Sequence, residues 1–107
     1  MVTGALGAVG RAAIQYLKEI GAVPVAGVRA SRVAEAKAMG VEAIDIESTG
    51  KKAGFIAAIE AVGGAVAALA AALVRDGGKM AAVAGVPEGA NPNNRIEVVN
   101  VWAADKT

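Results

Sequence analysis

The chain contains no cysteine and no histidine, and it has only one residue each of Phe, Trp and Tyr. Without cysteine and histidine it forms no disulfide, no Cys/His zinc site and no catalytic triad or proton relay that needs imidazole. Its carboxylates also lack metal-ligand spacing, so we expect no metal site and identify no catalytic acid or base. A formal net charge of +1 gives no electrostatic case for binding nucleic acid or an acidic membrane surface.

Small apolar side chains dominate what is present. With 55% hydrophobic and 20% charged residues, the 107-residue chain is expected to form a packed core rather than a disordered one. This length suits one domain, which we place over residues 1–107. No apolar run is long enough to span a bilayer and no signal peptide is visible after Met1, so we expect a cytoplasmic location.

Three glycines at a spacing of three, Gly4, Gly7 and Gly10, follow a short β-type segment near the start of the chain. A helical pattern of apolar residues begins directly behind them. In such a turn a pyrophosphate can approach the glycine backbone, and the free N–H groups of the next helix can bind phosphate. A glycine turn that only packs a helix on a strand would have the same pattern. The segment that matches the dinucleotide fingerprint G-x-G-x-x-G, with alanine as its first residue, is Ala5, Leu6, Gly7, Ala8, Val9 and Gly10.

Beyond the glycines, helical and strand patterns alternate. The run 55–60 fits a buried strand or a helix equally well, and 47–54 is polar and turn-like. Ser31 is expected to cap the second helix. Alternation of this kind predicts an α/β fold with a parallel sheet and right-handed crossover helices. We predict helices over 11–20, 32–39 and 65–75, and further strands over 23–28, 41–46, 79–84 and 96–102.

Four motifs stand in a fixed order along the chain: residues 2–10, Val62-Gly63-Gly64, 77–80 and 84–87. Together they resemble the zinc-independent medium-chain dehydrogenase/reductases, and within that family the NADPH:quinone oxidoreductase branch. The resemblance implies a Rossmann-type doubly wound parallel sheet in a single three-layer domain, with strand order 3-2-1-4-5-6. It covers only the cofactor domain, so the catalytic domain of the family is expected to be absent and little activity is expected from this chain alone.

Two positions depart from the family pattern. The family usually has a helix between its third and fourth strands, where residues 47–54 leave room for barely one turn. Members also often carry Asp after the aromatic residue of the fourth strand, where this chain has Ile56. The region 47–60 is therefore expected to differ from the family.

The opening motif also fits the extended and atypical short-chain dehydrogenases. Those enzymes typically need a Tyr-x-x-x-Lys pair, but Tyr16 is followed four residues later by Ile20. Tyr16 is interpreted instead as a partly buried helix residue. The later glycine motifs favour the medium-chain family.

The end of the second predicted strand bears on the choice of nucleotide. No carboxylate is available there until Glu35 to bind the adenosine ribose of NAD. Instead Arg29, Ser31 and Arg32 stand at a helix start, which suits the 2′-phosphate of NADP. These three side chains lead us to predict NADP as the cofactor. The simpler alternative is that both arginines are solvated and Ser31 only caps the helix.

The family resemblance implies further cofactor contacts. Val62, Gly63 and Gly64 would line the middle of the cofactor, and Gly85 and Val86 would flank the nicotinamide. Each segment would also suit an ordinary turn after a strand. The carboxylates interpreted as solvated strand-end residues are Glu42, Asp45, Glu47 and Glu60.

The sequence supports two alternative functions. The first is the NADP(H)-binding domain of a quinone-oxidoreductase-like enzyme, whose parent chemistry is hydride transfer from NADPH to a quinone or enone. The alternative is a non-catalytic, truncated or engineered Rossmann fragment that acts as a structural, self-associating module. A homodimer would form through the last strand, 96–102, or through an uncovered sheet edge.

Overall fold

The computed structural model describes residues 1–47 and 54–101. Strands and helices alternate along them, and two short 3₁₀ helices, Ala30–Arg32 and Pro92–Asn94, lie between the larger elements. The larger elements are β1 (Val2–Thr3), α1 (Ala8–Glu19), β2 (Val25–Val28), α2 (Val33–Ala38), β3 (Glu42–Asp45), β4 (Phe55–Glu60), α3 (Gly64–Leu73), β5 (Val74–Ala82) and β6 (Glu97–Asn100).

All six strands of the described chain join one parallel sheet in the order β3-β2-β1-β4-β5-β6. The chain first builds outward from β1 to β3, then returns to the other side of β1 and builds outward to β6. The strand order therefore reverses between β1 and β4, and open sheets of this type bind ligands at the carboxyl ends of the strands beside that point. The predicted Rossmann-type fold and strand order are confirmed.

Helices cover both faces of the sheet. On one face α1 and α2 pack over Val2 and Ala26, and on the other face α3 packs over Ala58 and Met80. Successive residues of a strand point to opposite faces, so Val2 belongs to the first layer and its neighbour Thr3 points toward the second. The domain therefore has the three layers that the family resemblance implies.

The boundary between α3 and β5 differs from the prediction. The helix ends at Leu73 and the strand begins at once with Val74, so residues 76–78 lie inside β5 instead of separating helix from strand. Gly77 makes this irregular path possible with a φ of 80°, and a Cβ on Gly78 would lie 2.6 Å from the carbonyl oxygen of Ile56. The two glycines thus shape a bulged strand next to β4, where the register shifts.

Other boundaries shift by a few residues. The ambiguous run 55–60 is strand β4, and α1 starts at Ala8, ahead of the predicted 11–20. Tyr16 is 61% exposed, so its interpretation as a partly buried residue is wrong. The last strand is shorter than the predicted 96–102. Trp102 and residues 48–53 of the predicted turn lie outside the described residues.

Ser31 does not cap α2. It lies within the 3₁₀ helix Ala30–Arg32, and the N-cap position of α2 is Arg32, with no side-chain capping hydrogen bond. The extra helical turn separates the serine from the first turn of α2.

Within residues 1–47 and 54–101, no helix has the length and apolar character needed to cross a membrane.

Candidate functional site

The glycine turn, residues 4–7, joins β1 to α1 at the carboxyl edge of the sheet. Gly4 has a φ of 59°, and its carbonyl oxygen accepts a hydrogen bond from the N–H of Gly7 at 3.0 Å. A Cβ on Gly10 would overlap that oxygen and lie 2.6 Å from the carbonyl carbon of Gly4. Helix α1 therefore approaches the turn so closely that only glycine fits at position 10.

Gly7 meets a different requirement from Gly10. It is exposed and is the N-cap of α1, with φ −87° and ψ 176°, a backbone conformation that any residue adopts. A Cβ there would meet only the carbonyl oxygen of Gly4, at 3.4 Å, among the described residues. The surrounding protein therefore leaves room at position 7, and this room is what a closely approaching ligand would use.

The first turn of α1, which directly follows the glycine turn, has free backbone N–H groups at the same edge of the sheet. The N–H groups of Ala8 and Val9 have no backbone acceptor in the described part of the chain, and no acidic residue lies in this turn. A helix start of this kind carries a partial positive charge. Arg11 in this helix also bonds to the glycine turn, because its Nε donates to the carbonyl oxygen of Leu6 at 2.9 Å.

A cavity of about 190 Å³ opens beside the glycine turn, where β1 and β2 end. We call it the β1–β2 cavity. The predicted site residues that it brings together are Ala5, Leu6, Gly7, Arg29, Arg32 and Val62, and its other lining residues are Gly4, Gly27, Val28, Ile46 and Val66.

Gly27 is one lining residue that the sequence reasoning missed. A Cβ there would lie 3.1 Å from Sδ of Met1 and 3.4 Å from Cδ1 of Ile46, so the floor of the cavity is closely packed. A lone glycine inside an otherwise apolar strand is a signal of such close approach and could have identified it. Ile46 and Val66 gave no signal, because they resemble any other core residue of the sequence.

The two arginines at the cavity differ in their surroundings. Arg29 directly follows β2, is exposed and makes no side-chain hydrogen bond to the described residues. Arg32 pairs with Glu35, and the hydrogen bond and charge of its guanidinium lower the pKa of that carboxyl. Ser31 is exposed and does not line the cavity, so the structure does not bring it together with the arginines.

A second cavity, of about 450 Å³, lies over the start of α1. It shares Gly4, Gly7 and Val62 with the β1–β2 cavity, so the two are neighbours along the carboxyl edge of the sheet. Its lining holds the remaining residues of the predicted fingerprint, Ala8, Val9 and Gly10, together with Ala61.

Glu60, at the end of β4, is fully buried, so its interpretation as a solvated residue is wrong. Its carboxylate accepts hydrogen bonds from the Thr3 hydroxyl and from the N–H groups of Val62 at 2.9 Å and Gly63 at 2.6 Å. A strand-end position alone does not reveal such burial, because it depends on partners from β1 and from the following turn.

The turn after β4, residues 61–64, has few backbone N–H groups free to bind a ligand. The N–H groups of Val62 and Gly63 are bound to Glu60, so they do not face a ligand, whereas the Val62 side chain is 50% exposed. A Cβ on Gly63 would lie 2.9 Å from Cβ of Ala84, so Gly63 is needed for packing. Gly64 is exposed and begins α3.

Gly85 and Val86 lie in a third cavity, of about 470 Å³, at the ends of β5 and β6. The structure places them on the same edge of the sheet as the glycine turn, but not in the β1–β2 cavity.

In residues 1–47 and 54–101, no three His, Cys, Asp or Glu side chains are grouped so that they could hold a metal ion.

Comparison with known proteins gives structural matches. No protein-family model matches the sequence, and no curated protein matches it. An alcohol dehydrogenase superfamily protein from Novosphingobium aromaticivorans matches with a TM-score of 0.79 and 21% identity, over 95% of this chain and 34% of that chain. The quinone oxidoreductase from Coxiella burnetii matches with a TM-score of 0.70 and 19% identity, over 94% and 35%.

A third match is the Bacillus subtilis protein yhfP with NAD bound, with a TM-score of 0.66 and 24% identity, over 95% of this chain and 36% of that chain. The chain thus spans about a third of the length of these proteins. At such low identity the likeness shows that the chain shares the fold of one region in each of them.

Proposed function

We propose that the chain, over residues 1–107, is the NADP(H)-binding domain of a quinone-oxidoreductase-like enzyme. The observation that carries this proposal is the β1–β2 cavity, because it has a glycine turn on one side and Arg29 and Arg32 on the other. It lies beside the point where the strand order reverses, between β1 and β4, because Val62, which follows β4, lines it together with the glycine turn after β1. Doubly wound sheets bind nucleotides at such a point.

The phosphates of a dinucleotide would lie over the start of α1. The open space at Gly7 lets a phosphate approach the backbone, and the N–H groups of Ala8 and Val9 supply donors there without a competing acidic side chain. The close packing of Gly10 against Gly4 holds the helix start in place. The side chain of Val62 would cover the middle of the ligand, because it lines both neighbouring cavities.

The preference for NADP rests on the arginines, since a structural neighbour holds NAD. Guanidinium groups pair with a phosphate through charge-assisted hydrogen bonds, and Arg29 and Arg32 line the cavity where β2 ends. Arg29 has no side-chain partner within the described residues, so a 2′-phosphate would meet it first. Arg32 would join by leaving Glu35.

The chemistry of a bound NADPH is hydride transfer, here to a quinone or enone. The residues of this chain would bind the dinucleotide and orient it along the carboxyl edge of the sheet. Gly85 and Val86 would flank the nicotinamide in the third cavity, where β5 and β6 end. We assign no acid or base in this chain to the reaction, and the substrate would be held largely by a catalytic domain outside it.

The proposal is tested by titrating the purified protein with NADPH and with NADH while following nicotinamide fluorescence. Replacing both cavity arginines, Arg29→Ala/Arg32→Ala, should weaken NADPH binding by about 10- to 100-fold and change NADH binding little. Arg75→Ala/Lys79→Ala removes the same charge from the exposed face of β5 and should leave both affinities unchanged. Binding of neither nucleotide by a folded sample would rule the proposal out.

A self-associating structural module is the second candidate, and the edge strand β6 favours it. Val99 in β6 is 41% exposed, and Val101, directly after the end of β6, is 43% exposed. Both lie beside the backbone of the last strand in the sheet. An apolar edge of this kind can pair with a second copy. Sedimentation velocity should then show a dimer that Val99→Lys dissociates, and a monomer at high concentration would rule this association out.

A further inference from the structure

We infer that Thr3 and Glu60 form a buried clamp that positions turn 61–64 against the glycine turn and so sets the shape of the nucleotide cavity. Both residues are 0% exposed, at the carboxyl ends of the neighbouring central strands β1 and β4. The clamp rests on the proposed function where it concerns nucleotide binding. Its effect on the turn is a property of the chain itself.

The hydrogen bonds of the clamp form a connected network. The N–H of Ala61 donates to Oγ1 of Thr3 at 3.1 Å, and the Thr3 hydroxyl donates to Oε2 of Glu60. On the other carboxylate oxygen, Oε1 of Glu60 accepts the N–H groups of Val62 and Gly63. Three consecutive backbone N–H groups are therefore held by two side chains that lie 57 positions apart in sequence.

The network satisfies both oxygens of the buried Glu60 side chain. Every contact of Glu60 is a donation to its oxygens, and the Thr3 hydroxyl has only one proton to donate. Burying the polar end of Glu60 without such donors would be costly, so removing one donor leaves an unsatisfied buried polar group. The turn is thus held in one arrangement by the need to keep Glu60 satisfied.

Turn 61–64 is in a position to transmit this arrangement to the site. A Cβ on Gly4 would lie 3.2 Å from Cγ2 of Val62 and 3.4 Å from Cβ of Ala61, so the two turns pack directly on each other. Val62 lines both the β1–β2 cavity and the cavity over α1. A shift of the turn would therefore move a wall of both cavities.

Two substitutions at position 3 separate the hydroxyl from the shape of the side chain. Thr3→Val keeps the shape and removes the hydroxyl, while Thr3→Ser keeps the hydroxyl. Thr3→Val should weaken NADPH binding about tenfold and speed amide hydrogen exchange at Ala61 and Gly63 by a similar factor. Thr3→Ser should restore both toward the values of the unsubstituted protein.

A control at the far edge of the sheet identifies a loss that comes from stability alone. Val74 is buried at the amino end of β5, so Val74→Ala should lower the unfolding temperature without changing NADPH affinity or exchange in turn 61–64. Equal weakening of NADPH binding by Val74→Ala and Thr3→Val at matched stability would overturn the positioning role.

If Thr3→Val does not fold, Glu60→Met decides, since its unbranched side chain is similar in length and lacks both oxygens that accept from Thr3 and from the turn. Faster exchange at Val62 and Gly63 in folded Glu60→Met supports the clamp, and unchanged exchange overturns it. These exchange rates need no nucleotide. If the unsubstituted protein binds no NADPH, the proposed function fails while the exchange data still decide whether the clamp holds the turn.

Discussion

The guanidinium of Arg32 donates two hydrogen bonds to the carboxylate of Glu35, from Nε to Oε1 and from Nη2 to Oε2, both at 3.1 Å. The two residues are three positions apart, and about half of each side chain is exposed. This forked pairing uses the geometry with which arginine would bind a phosphate. Glu35 therefore competes for one of the two cations at the β1–β2 cavity.

Removing this competition should strengthen NADPH binding. Exposed ion pairs are weak, so we expect Glu35→Gln to raise NADPH affinity by only about twofold to fivefold and to leave NADH affinity unchanged. Glu19→Gln makes the same change of charge near the end of α1, away from the cavity, and serves as the control. Fluorescence titrations of the three proteins decide the matter, and an equal gain in both variants would point to net charge alone.

The ion pair should also be visible in the titration of Glu35. The hydrogen bond from Arg32, aided by the charges of Arg32 and Arg11, lowers the pKa of Glu35 below its ordinary value of 4.5. Because the folded-state pKa is the lower one, the pair contributes stability above the ordinary value and loses it as the pH falls through the folded-state pKa.

NMR titration of the Glu35 carboxyl measures this shift. Arg32→Ala should return the pKa toward its ordinary value, while Arg29→Ala should change it little, because Arg29 is not among the causes of the shift. A Glu35 pKa that is the same with and without Arg32 would show that the pair does not persist in solution.

Gly7 and Gly10 should respond differently to the same substitution. A Cβ on Gly10 would collide with the backbone of Gly4, so Gly10→Ala should lower the free energy of unfolding by about 2–3 kcal/mol. At Gly7 the backbone suits alanine and the space is open, so Gly7→Ala should cost less than about 1 kcal/mol.

The two variants also separate folding from nucleotide binding. Gly7→Ala should stay folded yet bind NADPH at least about tenfold more weakly, since its methyl group would occupy the path of the pyrophosphate. Urea unfolding and nicotinamide fluorescence measure the two effects. Unchanged NADPH affinity in Gly7→Ala would mean that the phosphates do not lie against this turn.

Arg95 should matter for stability and not for nucleotide binding. Its Nη1 donates to the carbonyl oxygen of Ala71 at 2.8 Å, Nη2 donates to that of Val74, and Nε pairs with Asp76 at 2.7 Å. These bonds satisfy carbonyl groups where α3 ends, so Arg95→Ala should cost about 1–3 kcal/mol of unfolding free energy.

The nearby Arg75 supplies the control for this prediction. Arg75 is exposed on β5 and makes no side-chain hydrogen bond to the described residues, so Arg75→Ala should change stability by less than about 0.5 kcal/mol. Both variants lie at the amino edge of the sheet and should keep full NADPH affinity. Equal stability of the two variants, measured by urea unfolding, would show that Arg95 does not hold the end of α3.

Local patterns were enough to predict the class of fold and its elements. The apolar periodicity behind Gly10 indicated α1, and the glycine spacing indicated the turn before it. Both signals arise from residues within one or two turns of each other in sequence. The strand order came from the family resemblance, since periodicity alone does not say which strands are neighbours.

Boundaries were predicted less well where distant residues determine them. The sequence 76–78 predicts a stop between helix and strand, yet the chain enters β5 at Val74, whose carbonyl oxygen accepts a hydrogen bond from Arg95, 21 positions away. No local pattern contains that contact. Ser31 likewise has the chemistry of a helix cap, but a preceding 3₁₀ turn displaces it.

The sequence by itself determined the alternation of strands and helices, the glycine turn and the arginines after β2, because these depend on neighbours along the chain. Only the tertiary structure decided that Glu60 is buried beneath turn 61–64 and that Ile46 and Val66 meet the glycine turn in one cavity. Burial and cavity lining depend on which distant segments the sheet brings together. For Glu60, a residue of solvated type, the deciding partner was Thr3 on the neighbouring central strand.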